Sequence, residues 1–362
     1  MTATAQHQQH LYRKKLIYYI LLAILARMSA NYKHPLNIAH LAQASKAAGD
    51  PLRMNILKLL GRGAFGVLEL CQIFDIKQSS MSHHLKVLAQ AGLVSTQREG
   101  NSIFYRRPLI TATDNWSQWL RATFIAIDAA SSDEDIGMAV EQVLAERAEA
   151  CAEFFSRHAN DFKDQQDLIA SFDQYGDALA TILDSLTARA KNSEHTGYAL
   201  EIGPGEGAFL PLLAKHFSKV TALDVSPDML ARTETTLAAN AIANVDCVLG
   251  DTAHLLANTT TTKYQFAVAN MVLHHVPAPK TIFNEVAELL QPEGTLLITD
   301  LCRHDQAWAK DSCGDLWLGF DPADLTAWAT EAGLIEGQSQ FLGLRNGFQI
   351  QFRLFHRSPG RS

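Results

Sequence analysis

The stretch that most constrains this chain is Tyr198-Ala199-Leu200-Glu201-Ile202 running into Gly203-Pro204-Gly205-Glu206-Gly207. A short apolar run closed by spaced glycines predicts a strand, a sharp turn, and a helix over about Ala208 to His216. Glycines at such a turn let the backbone approach a ligand closely. A second strand is expected at Val220 to Leu223, ending on Asp224, 21 residues beyond Gly203. That spacing is what a doubly wound sheet gives when an acid at the end of strand two holds ribose hydroxyls. Gly203, Gly205 and Ala208 also satisfy a dinucleotide fingerprint, so the turn by itself leaves the nucleotide open.

Further features narrow it. Glu201 can pair with the ammonium of an amino-acid moiety, and Gly250-Asp251-Thr252 closes a third strand where a carboxylate can accept from an adenine amino group. Strand and helix patterns follow at Tyr264 to Asn270, about Lys280 to Leu290, and Gly294 to Asp300. The chain closes with strand-like runs at Gln338 to Leu342 and Gly347 to Phe355; in the second, Phe348, Ile350, Phe352 and Leu354 alternate with Gln349, Gln351 and Arg353. Such alternation suggests an antiparallel edge rather than another parallel repeat.

Together these features resemble the class I S-adenosylmethionine-dependent methyltransferases, with a Rossmann-like sheet. The resemblance implies that Glu201, Gly203, Pro204, Gly205 and Gly207 line the methionine and ribose parts, with Asp224 and Val225 at the ribose. It places Met229 on adenine, Asp251 and Thr252 at the adenine edge, and Asn270 and Met271 near the sulfonium. Met229 reads equally well as simple core. Leu273-His274-His275-Val276 resembles small-molecule methyltransferases, whereas the Asn-Pro-Pro-Tyr type motif of amino-group DNA methylases is absent, Asn270 being followed by Met271-Val272-Leu273. His274, His275 and Asp300 are the acceptor-side candidates, and His304-Asp305 with Asp315 to Phe320 is a candidate lid.

A different chemistry precedes this region. Asp50-Pro51 reads as N-cap and first helical position, with Leu52, Ile56, Leu59 and Leu60 at helical spacing up to Gly61. Helices are expected over about Val67 to Phe74 and Gln78 to Ala91, joined by the turn Asp75-Ile76-Lys77 and stopped by Gly92. On the second, Met81, Leu85 and Leu88 form an apolar stripe, with His84 beside it as a packing residue; Gln78, Ser79, Ser82, His83, Lys86 and Gln90 are the candidate DNA-reading residues. Strands at Leu93 to Gln97 and Ser102 to Arg107 flank Glu99-Gly100-Asn101, a hairpin that reads as a wing. Arg98, Asn101, Tyr105, Arg106 and Arg107 are its candidate DNA contacts. From Lys77 to Arg107 the only acid is Glu99, so a basic island sits within a chain of net charge −7.

Lys46-Ala47-Ala48-Gly49-Asp50-Pro51-Leu52-Arg53, Ser82-His83-His84-Leu85 and Ala91-Gly92-Leu93-Val94 resemble the ArsR/SmtB winged-helix repressors. The resemblance implies a double-stranded DNA operator and a homodimer, with Trp116 to Ile127 as the seam by analogy. It departs from the arsenite-binding members, whose paired cysteines fall at Gly66 and Leu68 here; Cys71 stands alone, and Thr111 to Ala130 offers no Asp and His set like that of the zinc sensors. No metal site is expected. Cys302 and Cys313 suggest arsenic methylation, but two loop cysteines read more simply as incidental.

At 362 residues the chain has room for two cores, giving a mixed α+β and α/β fold. The expected division is an N-terminal extension over 1–40, a winged helix-turn-helix over 41–112, a helical connector over 113–195 and a methyltransferase domain over 196–358, whose terminal strand is antiparallel. Five dispersed cysteines without C-x-x-C spacing indicate a reducing compartment, hence the cytoplasm. Arg13-Lys14-Lys15 before Leu16 to Ala26 imitates a signal peptide, but that apolar run is too short to span a bilayer, so an extra helix and no membrane association are expected. Two functions remain open. In one, a DNA-binding regulator also methylates a small molecule; in the other, the methyltransferase fold is a non-catalytic sensor of S-adenosylmethionine or S-adenosylhomocysteine that controls DNA binding, for example at methionine-cycle genes. An enzyme using its winged helix only for dimerisation or docking is the third reading.

Overall fold

The computed structural model describes residues 37–131, 134–158, 162–189, 197–258 and 263–359. The apolar run Leu16 to Ala26 lies outside them; among the described residues no helix is long and apolar enough to cross a membrane.

The N-terminal part starts with helices α1 (Ile38–Ala48) and α2 (Pro51–Leu59), the latter N-capped by Asp50, whose carboxylate accepts from the Arg53 backbone N–H at 3.0 Å. The helix-turn-helix follows as α3 (Val67–Phe74) and α4 (Gln78–Gln90), joined at Asp75 in the left-handed conformation. Met81, Leu85 and Leu88 are fully buried, so the 3.6-residue period correctly separates the packed face of α4 from its exposed one. The wing is a three-stranded sheet. Its hairpin is β2 (Ser95–Glu99) and β3 (Ser102–Arg106), and the two-residue strand β1 (Phe65–Gly66), which no periodicity announces, adds to the other edge of β3 in the order β1-β3-β2.

The expected connector is four helices: α5 (Asn115–Ala129), α6 (Glu134–His158), α7 (Phe162–Ala170) and α8 (Phe172–Arg189). Packing divides them. Leu120, Phe124 and Ile127 of α5 and Val140 and Val143 of α6 join the core of the helix-turn-helix, whereas Tyr175, Leu179, Ile182 and Leu183 of α8 pack with the C-terminal sheet. The inner face of α5, expected at a dimer seam, is therefore covered by its own domain, with Ile125 pointing outward.

The C-terminal sheet has seven strands in the order β6-β5-β4-β7-β8-β10-β9. Strands β4 (Tyr198–Ile202), β5 (Lys219–Asp224), β6 (Val245–Leu249), β7 (Tyr264–Asn270) and β8 (Leu290–Leu301) are parallel; β9 (Leu334–Gly343) and β10 (Gln349–Arg357) form an antiparallel hairpin on β8. The alternation at the C-terminus thus marks the antiparallel element, although Gln351 and Arg353 of β10 are as buried as their apolar neighbours. The terminal nitrogens of Arg353 donate there to Glu336 at 2.5 Å, to Thr326 and to the Pro322 carbonyl, while its Nε has no partner. The strand order reverses between the neighbouring strands β4 and β7, which opens the crevice where α/β sheets bind ligands.

Among the described residues, Arg147 makes the most contacts of the side chains that join the two halves. Arg147 of α6 donates to both carboxylate oxygens of Glu69 at 2.7 and 2.6 Å and to the carbonyls of Ala64 and Pro277. Its guanidinium also lies 5.1, 5.4 and 5.3 Å from the ring centres of Phe65, Phe104 and Trp317. Arg147→Ala strands the Glu69 carboxylate and is expected to cost on the order of 3 kcal/mol of stability. Arg147→Lys keeps the charge but loses the bidentate pair, so its urea midpoint should fall between those of the alanine variant and the parent; equal midpoints for all three would refute this account.

Candidate functional site

The glycine turn leaves β4 with Gly203 at φ 63° and Gly205 at φ 59°, a region that L side chains rarely adopt. A Cβ on Gly203 would also collide with Val272, so glycine is required on two grounds. The turn is anchored by Gly203 N–H to the Leu223 carbonyl at 2.8 Å and by the Thr233 hydroxyl to the Gly205 carbonyl at 2.8 Å. Helices α9 (Leu210–His216) and α10 (Pro227–Ala239) follow β4 and β5; the first begins two residues later than the sequence suggests.

A cleft of about 2170 Å³ runs from this turn to the regulator half, where Gly61, Arg107 and Arg121 also line it; near the turn its wall is Gly203, Pro204, Gly205, Asp224, Val225, Met229, Asp251, Thr252, Asn270 and Met271. Glu201 sits in the strand beneath, 1% exposed, with its Oε2 lacking any hydrogen-bond partner. Burial alone lifts its pKa to about 8, which marks a carboxylate without a counter-charge. Asp224 is raised to about 6, again by burial, against the backbone N–H groups of Ser226 and Val225 that stabilise its charge. Asn270 Oδ1 is likewise buried without a partner, and Met271 holds a left-handed φ of 52°, costing roughly 1–2 kcal/mol. Cleft-lining atoms with unmet polarity and a strained backbone are the features a bound polar ligand would resolve.

Some expected roles change in detail. Thr252 begins α11 (Thr252–Asn258) and lines the cleft, but its hydroxyl is turned to Glu285 and is not free to read a base edge. Asp251 uses Oδ1 to cap that helix at the His254 N–H, 2.7 Å away. Met229 is buried in the cleft wall, consistent with either packing or a ligand contact. Tyr175 was not foreseen: a phenol on the connector helix α8, buried beside Asn270 and near Glu201 and Asp300, it enters the cleft from a segment that reads as an ordinary amphipathic helix.

The acceptor-side candidates converge after β7. Asp300 accepts from the Leu273 N–H at 3.0 Å, the Leu301 N–H at 2.7 Å and His274 Nδ1 at 2.8 Å, fixing the 3₁₀ turn Leu273–His275. His274 is too deep to line the cleft, whereas His275 does line it. Burial opposes charge on His274, but the carboxylates of Asp300 and Asp315 prevail and raise its pKa to about 9. His275 is held well below its ordinary value by burial and by the charge on His274. The candidate lid over Asp315 to Phe320 is pinned rather than open: the N–H groups of Leu316 and Trp317 bond the His274 carbonyl at 2.9 and 3.1 Å, and the Trp317 indole bonds the Val276 carbonyl.

On the regulator half, Gln78, Ser79, Ser82, His83, Lys86 and Gln90 form one exposed face of α4, and Arg98 and Asn101 are exposed on the wing. Tyr105, Arg106 and Arg107 do not join them. β3 lies between β1 and β2, so Tyr105 packs toward the regulator core, Arg106 pairs with Asp324, and Arg107 forks onto Asp128 at 2.8 and 2.6 Å. The wing tip is docked as well. Glu99, 1% exposed, accepts from Arg303 at 2.9 Å and from the Leu318 N–H at 2.6 Å, while Arg303 also bonds the Arg98 carbonyl.

A helix-turn-helix-domain family model matches residues 48–97, and a methyltransferase-domain model matches residues 173–335. The transcriptional repressor SdpR of Bacillus subtilis is 38% identical over 73 residues, which are 20% of this chain and 81% of that repressor. The chain belongs to the ArsR/SmtB family. In this family member the regulator domain is fused to a methyltransferase domain. The ubiquinone biosynthesis O-methyltransferase of Erwinia tasmaniensis is 26% identical over 177 residues, 44% of this chain and 69% of that enzyme. Among solved structures, an O-methyltransferase family protein from Burkholderia thailandensis matches with a TM-score of 0.43 at 16% identity, covering 96% of this chain and 99% of that one.

The Glu201 carboxyl gives a pH test. Its ordinary pKa of 4.5 is raised to about 8 in the fold, so the folded chain holds a proton that the unfolded chain releases. Ligand-free stability must therefore fall from about pH 4.5 up to about pH 8 as far as this group is concerned, and stay level above. Glu201→Gln should flatten that decline and raise ligand-free stability near pH 8 by on the order of a few kcal/mol. Thermal melts across the window check it; parallel profiles for the two proteins would remove Glu201 as the cause.

Proposed function

We propose that this chain is a DNA-binding transcriptional regulator whose C-terminal domain binds S-adenosylmethionine and methylates a small molecule. The observation that carries the reading is the buried Glu201 carboxyl, its Oε2 without a hydrogen-bond partner, beneath the glycine turn at the crevice of a doubly wound sheet. A carboxylate there complements an α-ammonium, and Asp224 at the end of β5 suits ribose hydroxyls. Gly203, Pro204, Gly205, Gly207 and Val225 would form the cradle, Met229, Asp251 and Thr252 the adenine side, and Asn270 and Met271 the neighbourhood of the sulfur. When bound, S-adenosylmethionine supplies an electrophilic methyl group on a positively charged sulfur. The residues' work is then positioning and exclusion of water, and an acceptor that is already nucleophilic needs no general base.

Double-stranded DNA is the proposed partner of the exposed α4 face, whose hydroxyls, amides and Lys86 suit base edges and phosphates. The wing offers Arg98 and Asn101 but, as folded, withholds Arg106 and Arg107. One observation favours the sensor as a second reading: Glu99 of the wing is bonded to Arg303 and Leu318, which belong to the loop after β8 that also covers His274. A ligand that displaces this loop has a direct route to the wing, and so a means of differing in affinity for free and DNA-bound states.

Calorimetry with S-adenosylmethionine and S-adenosylhomocysteine on the parent and Glu201→Gln should show binding weakened at least tenfold in the variant. Unchanged binding would overturn the assignment of Glu201. Gel shifts on the gene's own upstream DNA, with each cofactor form titrated in, should show Lys86→Ala weakening the complex and lowering the salt slope by about 1. Labelled methyl transfer to a small molecule in cell extract supports the enzyme; cofactor-dependent DNA affinity without transfer supports the sensor.

A further inference from the structure

His274, His275 and Asp315 bring one donor atom each to within 4.8 Å of one another, all three side chains buried. Asp315 is 2% exposed and neither of its oxygens takes part in a hydrogen bond. A carboxylate desolvated to this degree needs a counter-charge at hydrogen-bond or ligand distance. The nearest candidates are His274 Nε2 and His275 Nδ1, each 3.9 Å from Asp315 Oδ1, too far for a hydrogen bond.

Both imidazoles are held from behind. His274 Nδ1 faces Asp300 at 2.8 Å, and His275 Nε2 faces the Gln166 amide at 3.2 Å, a contact of two nitrogens that becomes a donated bond to the amide oxygen once the amide is turned over. The far nitrogen of each ring is thereby engaged, and the near nitrogens each stand 3.9 Å from Asp315 Oδ1. A carboxylate or amide fixing the outer nitrogen of a histidine is how metal-ligating imidazoles are oriented. As folded, His275 Nδ1 donates to the Gly314 carbonyl at 3.3 Å and Nε2 accepts from the Gln166 amide, so a cation at Nδ1 takes the place of that proton and the amide turns over to accept from Nε2.

We propose that His274 Nε2, His275 Nδ1 and the Asp315 carboxylate bind one divalent transition-metal ion of the zinc, cobalt or manganese kind. Three ligands of mixed nitrogen and oxygen type are the set such ions accept. For bonds of about 2.0–2.2 Å in a tetrahedral arrangement, donor atoms must approach to about 3.3 Å, so the 3.9 Å pairs close by about 0.6 Å on binding and the two imidazole nitrogens, within 4.8 Å of each other, by as much as about 1.5 Å. Because His275 also lines the cleft, the ion stands in its wall, below the space an acceptor would enter. The buried thiols of Cys151 and Cys313 are not among the ligands; burial and the Asp315 charge push each up to about 12.

The competing occupant is a proton, which would make His274 an imidazolium between Asp300 and Asp315. The full chain, stripped with a chelator, is titrated with Co²⁺ alone and followed by absorption and elemental analysis. One equivalent with a nitrogen-and-oxygen spectrum and no thiolate charge-transfer band is expected. Asp315→Asn and His274→Gln should each weaken Co²⁺ at least tenfold, Asp300→Asn by roughly 10–100-fold, and the exposed Lys215→Ala not at all. Lack of stoichiometric Co²⁺ binding, a thiolate band, or binding unchanged in both Asp315→Asn and His274→Gln overturns the proposal. If those variants do not fold, ¹⁵N spectra of the parent decide it: Zn²⁺ must shift His274 Nε2 and His275 Nδ1, and an imidazolium signal for His274 that ignores Zn²⁺ rejects the site.

Discussion

The Arg147 guanidinium is the central contact among those by which the two halves of the molecule meet. A planar cation with five donors can satisfy a carboxylate and two carbonyls while its faces rest on aromatic rings, which a lysine ammonium cannot do. Glu69 is its ion-pair partner and also caps α3 through the Gly66 N–H at 2.6 Å, so the same carboxylate starts the helix-turn-helix. Phe65 belongs to β1, Phe104 to β3, and Trp317 to the loop over His274. Remove the guanidinium and the wing sheet, the helix-turn-helix and the acceptor side of the cleft lose their shared contact.

The second organising group is Asp300. Its carboxylate collects two backbone N–H groups and an imidazole, and so converts the end of β8 into a rigid corner. Gly203 touches the same corner from the other side through Val272. The glycine turn and the histidine turn are therefore packed against one another, and a ligand seated on the first lies against the second.

Much of this was legible in the residues. The helix-turn-helix, β7 and the antiparallel ending follow from local periods, and the glycine turn with Asp224 from spacing, because each is encoded within one element or its neighbour. What escaped lies between elements. Two residues of β1 are too few to show a period. Tyr175 reaches the cleft from a helix whose other buried side chains, Leu179, Ile182 and Leu183, have the spacing of any amphipathic helix. The inward turn of Arg106 and Arg107 depends on Asp324 and Asp128, and the burial of Glu99 on Arg303, partners distant in sequence whose approach no local pattern records. The lone acid of a basic hairpin was in plain view, but its meaning required the loop that receives it.

Helix α6 gives the fusion a mechanical character. Its 25 residues make a rod about 37 Å long. Val140 and Val143 near one end are set in the regulator core, whereas Cys151 lies against the His275 carbonyl and Phe154 against Gly314 toward the other. Arg147 sits between, as a fulcrum would. Helix α6 is thus a single rod set in both cores, and the histidine turn is held in register with the helices that present α4 by a shared member as well as a shared surface.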